Sequence, residues 1–196
     1  MSEATMTKAE PHSYWASRKD ILYYEVVRIL TASIGAKAAS IIDVGSASCP
    51  YLDWFEWIDQ KVSLDLNNPY EADGIQAIKH DFLSWEAPLK YDVVLCLQVL
   101  EHVPDAERFA KKLLETGKTL IVSVPYNWDE TKTDEHIHDP VDKTKMKTWF
   151  GRDPNFEYIC SEVLAPVDRL IQVYDSFDQP WAGLKQRDRL IHRLNM

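Results

Sequence analysis

The first long apolar pattern in the chain lies between residues 17 and 34 and is typical of an amphipathic helix. Its large apolar residues recur mostly three to five positions apart, at Ile21, Leu22, Val26, Ile29, Leu30 and Ile34. This spacing gathers them on one helical face, which predicts a surface helix packed against a core. Gly35 follows the last of them and is a typical helix-ending residue.

Seven shorter apolar runs have the length and composition of β-strands. They lie at residues 40–45, 61–66, 74–79, 91–97, 119–124, 156–164 and 169–174. The run at 91–97 is almost entirely apolar, as expected of a central strand that is buried on both faces of a parallel sheet. The last two runs are joined by Ala-Pro-Val-Asp, a typical turn sequence, so they are predicted to form an antiparallel hairpin.

Helical patterns separate several of these strands. Apolar residues at helical spacing predict a helix over 104–116, with Gly117 as its stop. Another helix is predicted over 141–150, and either Asp139 or Asp142 is a suitable N-cap for it.

The connections predict the class of fold. Pro50 suits the first turn of a helix after the first strand. The turn-rich sequence NNPYEAD between the second and third strands is too short for a crossover helix, so either those strands are shorter than their apolar runs or a minimal loop joins them. The alternation predicts an α/β fold: a doubly wound, mostly parallel, seven-stranded sheet with a C-terminal antiparallel hairpin.

Composition limits the class of protein. Of the 196 residues, 45% are hydrophobic, which is enough for one buried core, so we expect a single domain over 1–196. Residues 1–16 are expected to be flexible or to form a lid, and residues 181–196 to form a tail. No apolar run has the length of a signal peptide or a membrane span.

Charge and cysteine content limit the partners. The net charge is −9, which repels polyanions on average, so nucleic acid is not expected as a partner and neither is a membrane. Cys49, Cys96 and Cys160 have no CxxC spacing and are expected to be reduced thiols, as in a cytoplasmic protein. The oligomeric state remains open.

Polar residues follow the first four predicted strands, within segments 43–48, 65–66, 80–82 and 97–102. A doubly wound sheet binds its ligands at the carboxyl ends of its strands, where the strand order reverses. We therefore expect these four segments to face one crevice.

On these segments the chain resembles the class I S-adenosylmethionine-dependent methyltransferases, especially small members in which the fourth strand runs into Leu-Glu-His. The resemblance covers roughly residues 21–174. It implies a Rossmann-like methyltransferase fold and S-adenosyl-L-methionine as the cofactor. It also implies transfer of the methyl group to a small-molecule acceptor by in-line displacement.

The resemblance implies that the first loop holds the methionine part of the cofactor. Asp43 would help to bind the ammonium group, and Gly45, Ser46 and Ala47 would bring the backbone close to the ligand. Such loops usually carry three glycines, and Ala47 and Cys49 replace two of them. We expect weaker or displaced cofactor binding rather than its loss, because Ala47 adds only a methyl group.

The second and third strand ends are implied to hold the nucleoside. Asp65, with Leu66 beside it, would accept hydrogen bonds from both ribose hydroxyls. Asp81 would accept a hydrogen bond from the adenine amino group, and the backbone N–H of Phe82 would lie near the adenine ring.

The fourth strand end is implied to approach the methionine part through the backbone carbonyls of Leu97 and Gln98. His102 ends this segment. We interpret it as a packed or hydrogen-bonded residue at a helix start rather than as a catalytic base.

His136 and His138 lie in the loop after the fifth strand, which lines part of the acceptor pocket in the family that the chain resembles. Either could be a general base, and His138 is favoured slightly because it lies closer to the following helix. With Asp139 the two could also bind a metal ion, but no third distant ligand is evident, so no metal site is predicted. A structural role remains an alternative.

Two other functions remain open. A nucleotide-dependent oxidoreductase has a similar loop and acidic residue, but the sequence lacks GxGxxG. A non-catalytic binding module of the same fold would be consistent with the replaced glycines.

Overall fold

The structure of the protein is a computed structural model that describes residues 15–16, 18–129, 135–163, 167–177 and 180–183. Their regular elements are, in chain order, α1 (Leu22–Ile34), β1 (Ser40–Val44), β2 (Gln60–Asp65), β3 (Ile75–Lys79), β4 (Tyr91–Leu97), α2 (Ala106–Thr116), β5 (Gly117–Pro125), α3 (Lys143–Phe150), β6 (Phe156–Ser161) and β7 (Asp168–Tyr174). Short 3₁₀ helices, Tyr51–Trp54 and Leu100–His102, follow β1 and β4. Among the described helices, none has the length and apolar character needed to cross a membrane.

The strands form one sheet in the order β3-β2-β1-β4-β5-β7-β6. Strands β1 to β5 pair in parallel, and β7 runs antiparallel to both β5 and β6. This confirms the predicted doubly wound, seven-stranded sheet, its C-terminal antiparallel pair and the central place of β4. The strand order reverses between β1 and β4, so the carboxyl ends of these strands flank the expected crevice.

Both faces of the sheet are covered, because successive residues of a strand point to opposite faces. Ile42 packs in a core with α2 and α3, whereas the adjacent Ile41 packs in a second core with α1 and the first 3₁₀ helix. Both side chains are fully buried. The double cover explains why β4 is apolar along nearly its whole length.

Helix ends differ in part from the sequence prediction. The first helix begins at Leu22 rather than at residue 17, and it ends before Gly35 as predicted. The helix expected after Pro50 is only the four-residue 3₁₀ helix Tyr51–Trp54. Residues 55–59 alone separate it from β2, so at most about one further helical turn would fit.

The end of α2 has a different cause from the one predicted. Helix α2 passes directly into β5 at Gly117, whose φ of −142° is extended rather than left-handed. A Cβ at this position would lie 2.3 Å from Cγ2 of Val94. Close packing against β4 therefore requires the glycine.

The structure decides which residue caps α3 and how β2 and β3 are joined, two points that the sequence left open. Asp142 is the N-cap of α3, since its Oδ1 accepts a hydrogen bond from the N–H of Lys145 at 2.7 Å. Residues 66–74 join the parallel strands β2 and β3 without a helix, so the minimal loop is confirmed, and the two strand ends beside it are each one residue shorter than their apolar runs. The turn between β6 and β7 lies partly, and residues 1–14 and 184–196 wholly, outside the described residues.

Candidate functional site

Asp43 is a buried carboxylate near the carboxyl end of β1. It is 1% exposed, and neither of its oxygens has a hydrogen-bond partner among the described residues. Burial, with a smaller contribution from the charge of Asp65, raises the pKa of Asp43 well above its ordinary value. A buried carboxylate is strongly unfavourable unless a cation or a donor reaches it. Asp43 therefore has unused capacity for a positively charged ligand group.

The loop after β1 turns through left-handed backbone. Gly45, Ala47 and Ser48 have φ values of 81°, 47° and 63°. A Cβ on Gly45 would also lie 2.5 Å from Cγ2 of Val99, so glycine is required there. Ala47 and Ser48 adopt the same region with a Cβ, at a cost of about 1–2 kcal/mol each. Cys49 is buried, as expected of a packing residue.

Asp65 fastens this loop to the end of β2. Its Oδ2 accepts a hydrogen bond from the N–H of Ala47 at 3.0 Å, and its Oδ1 accepts from the N–H groups of Asn67 and Asn68, both at 2.8 Å. These contacts use three of about four lone-pair positions on the carboxylate. One acceptor position remains on Oδ2 for a ligand hydroxyl. The family resemblance implied instead that Asp65 accepts hydrogen bonds from both ribose hydroxyls.

Ser46 belongs to the framework of the loop. Its Oγ lies 2.8 Å from Oγ of Ser63 in β2, and the N–H of Tyr70 donates to these two oxygens at 3.3 and 2.7 Å respectively. Ser46 is 1% exposed, so its side chain is enclosed by the protein. Its backbone is the part that a ligand could approach.

The other predicted nucleoside residues divide between the surface and the core. Leu66 is 60% exposed beside Asp65. Asp81 is also exposed, and its Oδ1 accepts a hydrogen bond from the N–H of Leu83 at 3.1 Å, which is the main cause of its lowered pKa. The ring of Phe82 is buried against Phe109, with 4.7 Å between centroids, so its side chain serves the core.

Gln98 begins the segment after β4 in the left-handed region, with a φ of 57°. Its Nε2 donates to Oγ of Ser123 at 3.1 Å, and that oxygen lies 2.5 Å from the hydroxyl of Tyr23. These bonds tie the segment to β5 and α1. Left-handed residues other than glycine are concentrated at functional sites, where the surrounding structure holds them. Leu97 is buried, so its side chain packs in the core.

Glu101 is the residue that the sequence interpretation missed. It is 0% exposed, and neither carboxylate oxygen has a hydrogen-bond partner in another described residue. Burial, supported by the charge of Asp139, raises the pKa of Glu101 to about 8. A glutamate next to a polar histidine ordinarily faces solvent, so the sequence carries no signal of this burial.

His136 lies in a group with the segment after β4. Its Nδ1 is 2.7 Å from Oδ2 of Asp139, whose side chain is 1% exposed. Its ring meets the ring of His102 edge to face, with 4.8 Å between centroids. Ligand atoms of Glu101, His102 and His136 all lie within 4.8 Å of one another.

His138 has different surroundings. Its Nε2 lies 2.7 Å from the carbonyl oxygen of Val103, and its ring packs against Trp149 at 5.2 Å between centroids. A carbonyl only accepts, so Nε2 carries the proton and Nδ1 is the basic nitrogen. The catalytic role of either histidine stays a prediction, and these contacts favour His136 over the His138 preferred from sequence.

A family model described as a methyltransferase domain matches residues 14–176 of the chain. Comparison with curated protein sequences gives no match.

Three methyltransferases are among the solved structures with a similar fold. The 1,6-didemethyltoxoflavin-N1-methyltransferase of Burkholderia thailandensis, with 1,6-didemethyltoxoflavin and S-adenosylhomocysteine bound, is 13% identical with a TM-score of 0.66, and the match covers 87% of this chain and 92% of that one. The N-methyltransferase NodS of Bradyrhizobium japonicum WM9, in complex with S-adenosylhomocysteine, is 11% identical with a TM-score of 0.62, covering 82% and 90%. The small RNA methyltransferase HEN1 is 18% identical with a TM-score of 0.60, covering 92% of this chain and 28% of that one. These likenesses confirm the fold.

Proposed function

Because this chain belongs to the methyltransferase domain family, we propose that it is an enzyme that transfers the methyl group of S-adenosyl-L-methionine to a small-molecule acceptor. The observation that carries the proposal is the buried carboxylate of Asp43 at the reversal of strand order, which has no hydrogen-bond partner among the described residues. The methionine part of the cofactor carries an ammonium group, which is the kind of partner that this carboxylate lacks. Relatives of the same fold bind S-adenosylhomocysteine, which supports the same cofactor.

Residues at the strand ends provide the remaining contacts. The left-handed loop at Gly45 and Ala47 lets the backbone approach a ligand closely. The free position on Oδ2 of Asp65 would accept from a ribose hydroxyl, and the exposed Asp81 would accept from the adenine amino group. Leu97 and Gln98 would contact the methionine part through their carbonyls. When bound, the cofactor supplies a sulfonium methyl group that an acceptor displaces directly, and the protein orients the two and excludes water.

The nature of the acceptor follows from charge. With 31 acidic and 22 basic residues, the chain repels nucleic acid on average, although one relative of the same fold is a small RNA methyltransferase. A small molecule is the acceptor class that this charge favours. Cys49, Cys96 and Cys160 are free and buried, which supports a cytoplasmic location.

We place the acceptor beside the loop that carries His136 and His138, the predicted catalytic residues. His136 is the stronger of the two, because it lies with Glu101 and His102 whereas His138 packs against Trp149. Acceptors such as hydroxyls lose a proton during methyl transfer. The group around His136 is where the chain could promote that loss.

Calorimetry with S-adenosyl-L-methionine, S-adenosylhomocysteine and NAD tests the proposal. The first two should bind and NAD should not. Asp65→Ala should weaken binding of the cofactor by about 1–3 kcal/mol, because it removes a charged acceptor. Asp59→Ala is the matched control, since Asp59 is exposed and precedes the opposite end of β2. Thermal unfolding of both variants is needed as well, because Asp65 also fastens the loop.

The outcomes separate the candidate functions. Binding of NAD without binding of S-adenosyl-L-methionine would favour an oxidoreductase and overturn the proposal. Cofactor binding without formation of S-adenosylhomocysteine over a panel of hydroxyl, amine and heteroaromatic acceptors would favour a non-catalytic module. Equal cofactor affinity in wild type and a folded Asp65→Ala variant would remove the ribose assignment.

A further inference from the structure

Glu101, His102 and His136 form a three-residue cluster beside the proposed position of the acceptor. Glu101 and His102 lie in the 3₁₀ helix after β4, and His136 follows β5. One ligand atom from each lies within 4.8 Å of the other two. The set could not be recognised from the sequence, because its third member comes from a distant part of the chain.

The two histidines are held in defined tautomers. Nδ1 of His102 lies 2.9 Å from the carbonyl oxygen of Glu135. A carbonyl only accepts, so this Nδ1 carries the proton and Nε2 has a free lone pair. Nδ1 of His136 lies 2.7 Å from Oδ2 of the buried Asp139, which fixes the His136 ring in the same way. Histidines that bind metals are typically oriented by such a contact of the second ring nitrogen.

The cluster therefore brings acceptors together. Glu101 is fully buried with neither carboxylate oxygen bonded to another described residue. Since Nδ1 of each histidine is used in a hydrogen bond, Nε2 is the ring nitrogen that can accept or bind an ion. Acceptors gathered in one cluster repel one another unless a cation or a proton lies between them. A divalent cation satisfies all three at once.

We propose that Glu101, His102 and His136 bind a divalent transition-metal ion, with Asp139 as the positioning residue of His136. Two imidazole nitrogens and one carboxylate suit Zn²⁺ and its neighbours in the first transition series, whereas Mg²⁺ and Ca²⁺ prefer oxygen ligands alone. At metal–ligand distances of about 2.1 Å, ligand atoms lie at most about 4.2 Å apart, so the three side chains need to move inwards by less than about 1 Å. Three protein ligands leave further coordination positions, and the exposed His102 places the site within reach of solvent.

Titration of the full, tag-free chain with Zn²⁺ and with Co²⁺ after chelator treatment tests the proposal. One ion should bind per chain, Co²⁺ should give the visible absorption of a site with nitrogen ligands, and Mg²⁺ should bind at least tenfold more weakly than Zn²⁺. Glu101→Gln and His136→Ala should each weaken Zn²⁺ binding more than tenfold. Asp139→Asn should weaken it by about 10–100-fold, as changes to residues that orient metal ligands do. His138→Ala is the histidine control and should bind Zn²⁺ like wild type.

Thermal unfolding distinguishes a metal ion from a proton shared by the cluster. Zn²⁺ should raise the unfolding temperature of wild type and leave that of Glu101→Gln unchanged. Failure of wild type to bind an ion, or equal binding by wild type and both ligand variants, would overturn the assignment. Cofactor binding is measured separately, so this result is independent of the proposed methyl transfer.

Discussion

Cγ2 of Val99 lies 2.5 Å from the position that a Cβ on Gly45 would occupy. The contact joins the loop after β1 to the segment after β4, the two strands at which the sheet order reverses. Val99 directly precedes the 3₁₀ helix that contains Glu101. The loop that would hold the cofactor and the segment that carries the buried glutamate are therefore packed against each other.

Gly45→Ala should lower the free energy of unfolding by about 2–4 kcal/mol, because left-handed strain adds to overpacking against Val99. In the Gly45→Ala, Val99→Ala double variant the overpacking disappears and only the strain at φ of 81° remains. Urea unfolding of the four proteins should give a coupling energy of at least about 1 kcal/mol. Additive effects would show that the two residues do not press on each other.

The sequence predicted the elements whose signal is local. The apolar run of β4 predicted a central strand because both faces of the sheet are covered, and Asp43 lies near the carboxyl end of its strand, at the expected crevice. Gly117 was interpreted as a helix stop, whereas packing against Val94 requires it, and such a contact depends on a neighbouring strand. The burial of Glu101 and the contact of Asp65 with the loop after β1 could not be predicted from the sequence either. Both depend on which groups the fold brings close to each carboxylate.

Asp43→Asn should keep or raise the stability of the cofactor-free protein at pH 8 while weakening cofactor binding at least tenfold. Because burial raises the pKa of Asp43 in the folded state, its contribution to stability is full below about pH 3.9, the ordinary value, and is lost as the pH rises towards the folded pKa. The neutral asparagine avoids that loss. Urea unfolding at pH 5 and 8 with calorimetry of the cofactor measures both effects, and a variant less stable than wild type at pH 8 would reveal a partner for the ionised carboxylate.

Ala47→Gly should raise the free energy of unfolding by up to about 1 kcal/mol, because relief of left-handed strain exceeds the added freedom of the unfolded chain. It should also tighten cofactor binding if the methyl group faces the ligand. Ala36→Gly is the matched control, since Ala36 is an exposed turn residue whose φ is not positive. The control should lose about 0.5–1 kcal/mol. A loss of the same size in Ala47→Gly would contradict the strain argument.

Asp92→Asn should make stability less dependent on pH in the acid range. Oδ2 of Asp92 accepts hydrogen bonds from the N–H groups of Ala39 and Ser40 at 2.8 and 3.1 Å, and its Oδ1 accepts from Nζ of Lys118 at 2.6 Å. Burial alone would raise the pKa of Asp92. The hydrogen bond and charge of Lys118, together with the hydrogen bonds from the two N–H groups, outweigh burial and lower this pKa.

The lowered pKa fixes the sign of this dependence. The stabilisation by Asp92 is present above about pH 3.9, the ordinary value, and is lost as the pH falls through the lower folded pKa. Asp92→Asn should therefore cost about 1–2 kcal/mol in urea unfolding at pH 7, and the difference from wild type should shrink towards pH 3. Lys118→Met should cost less than about 0.5 kcal/mol, because the lysine is mostly exposed and such ion pairs contribute little. A difference between wild type and Asp92→Asn that stays constant from pH 7 to pH 3 would show that the charge of Asp92 does not stabilise the start of β1.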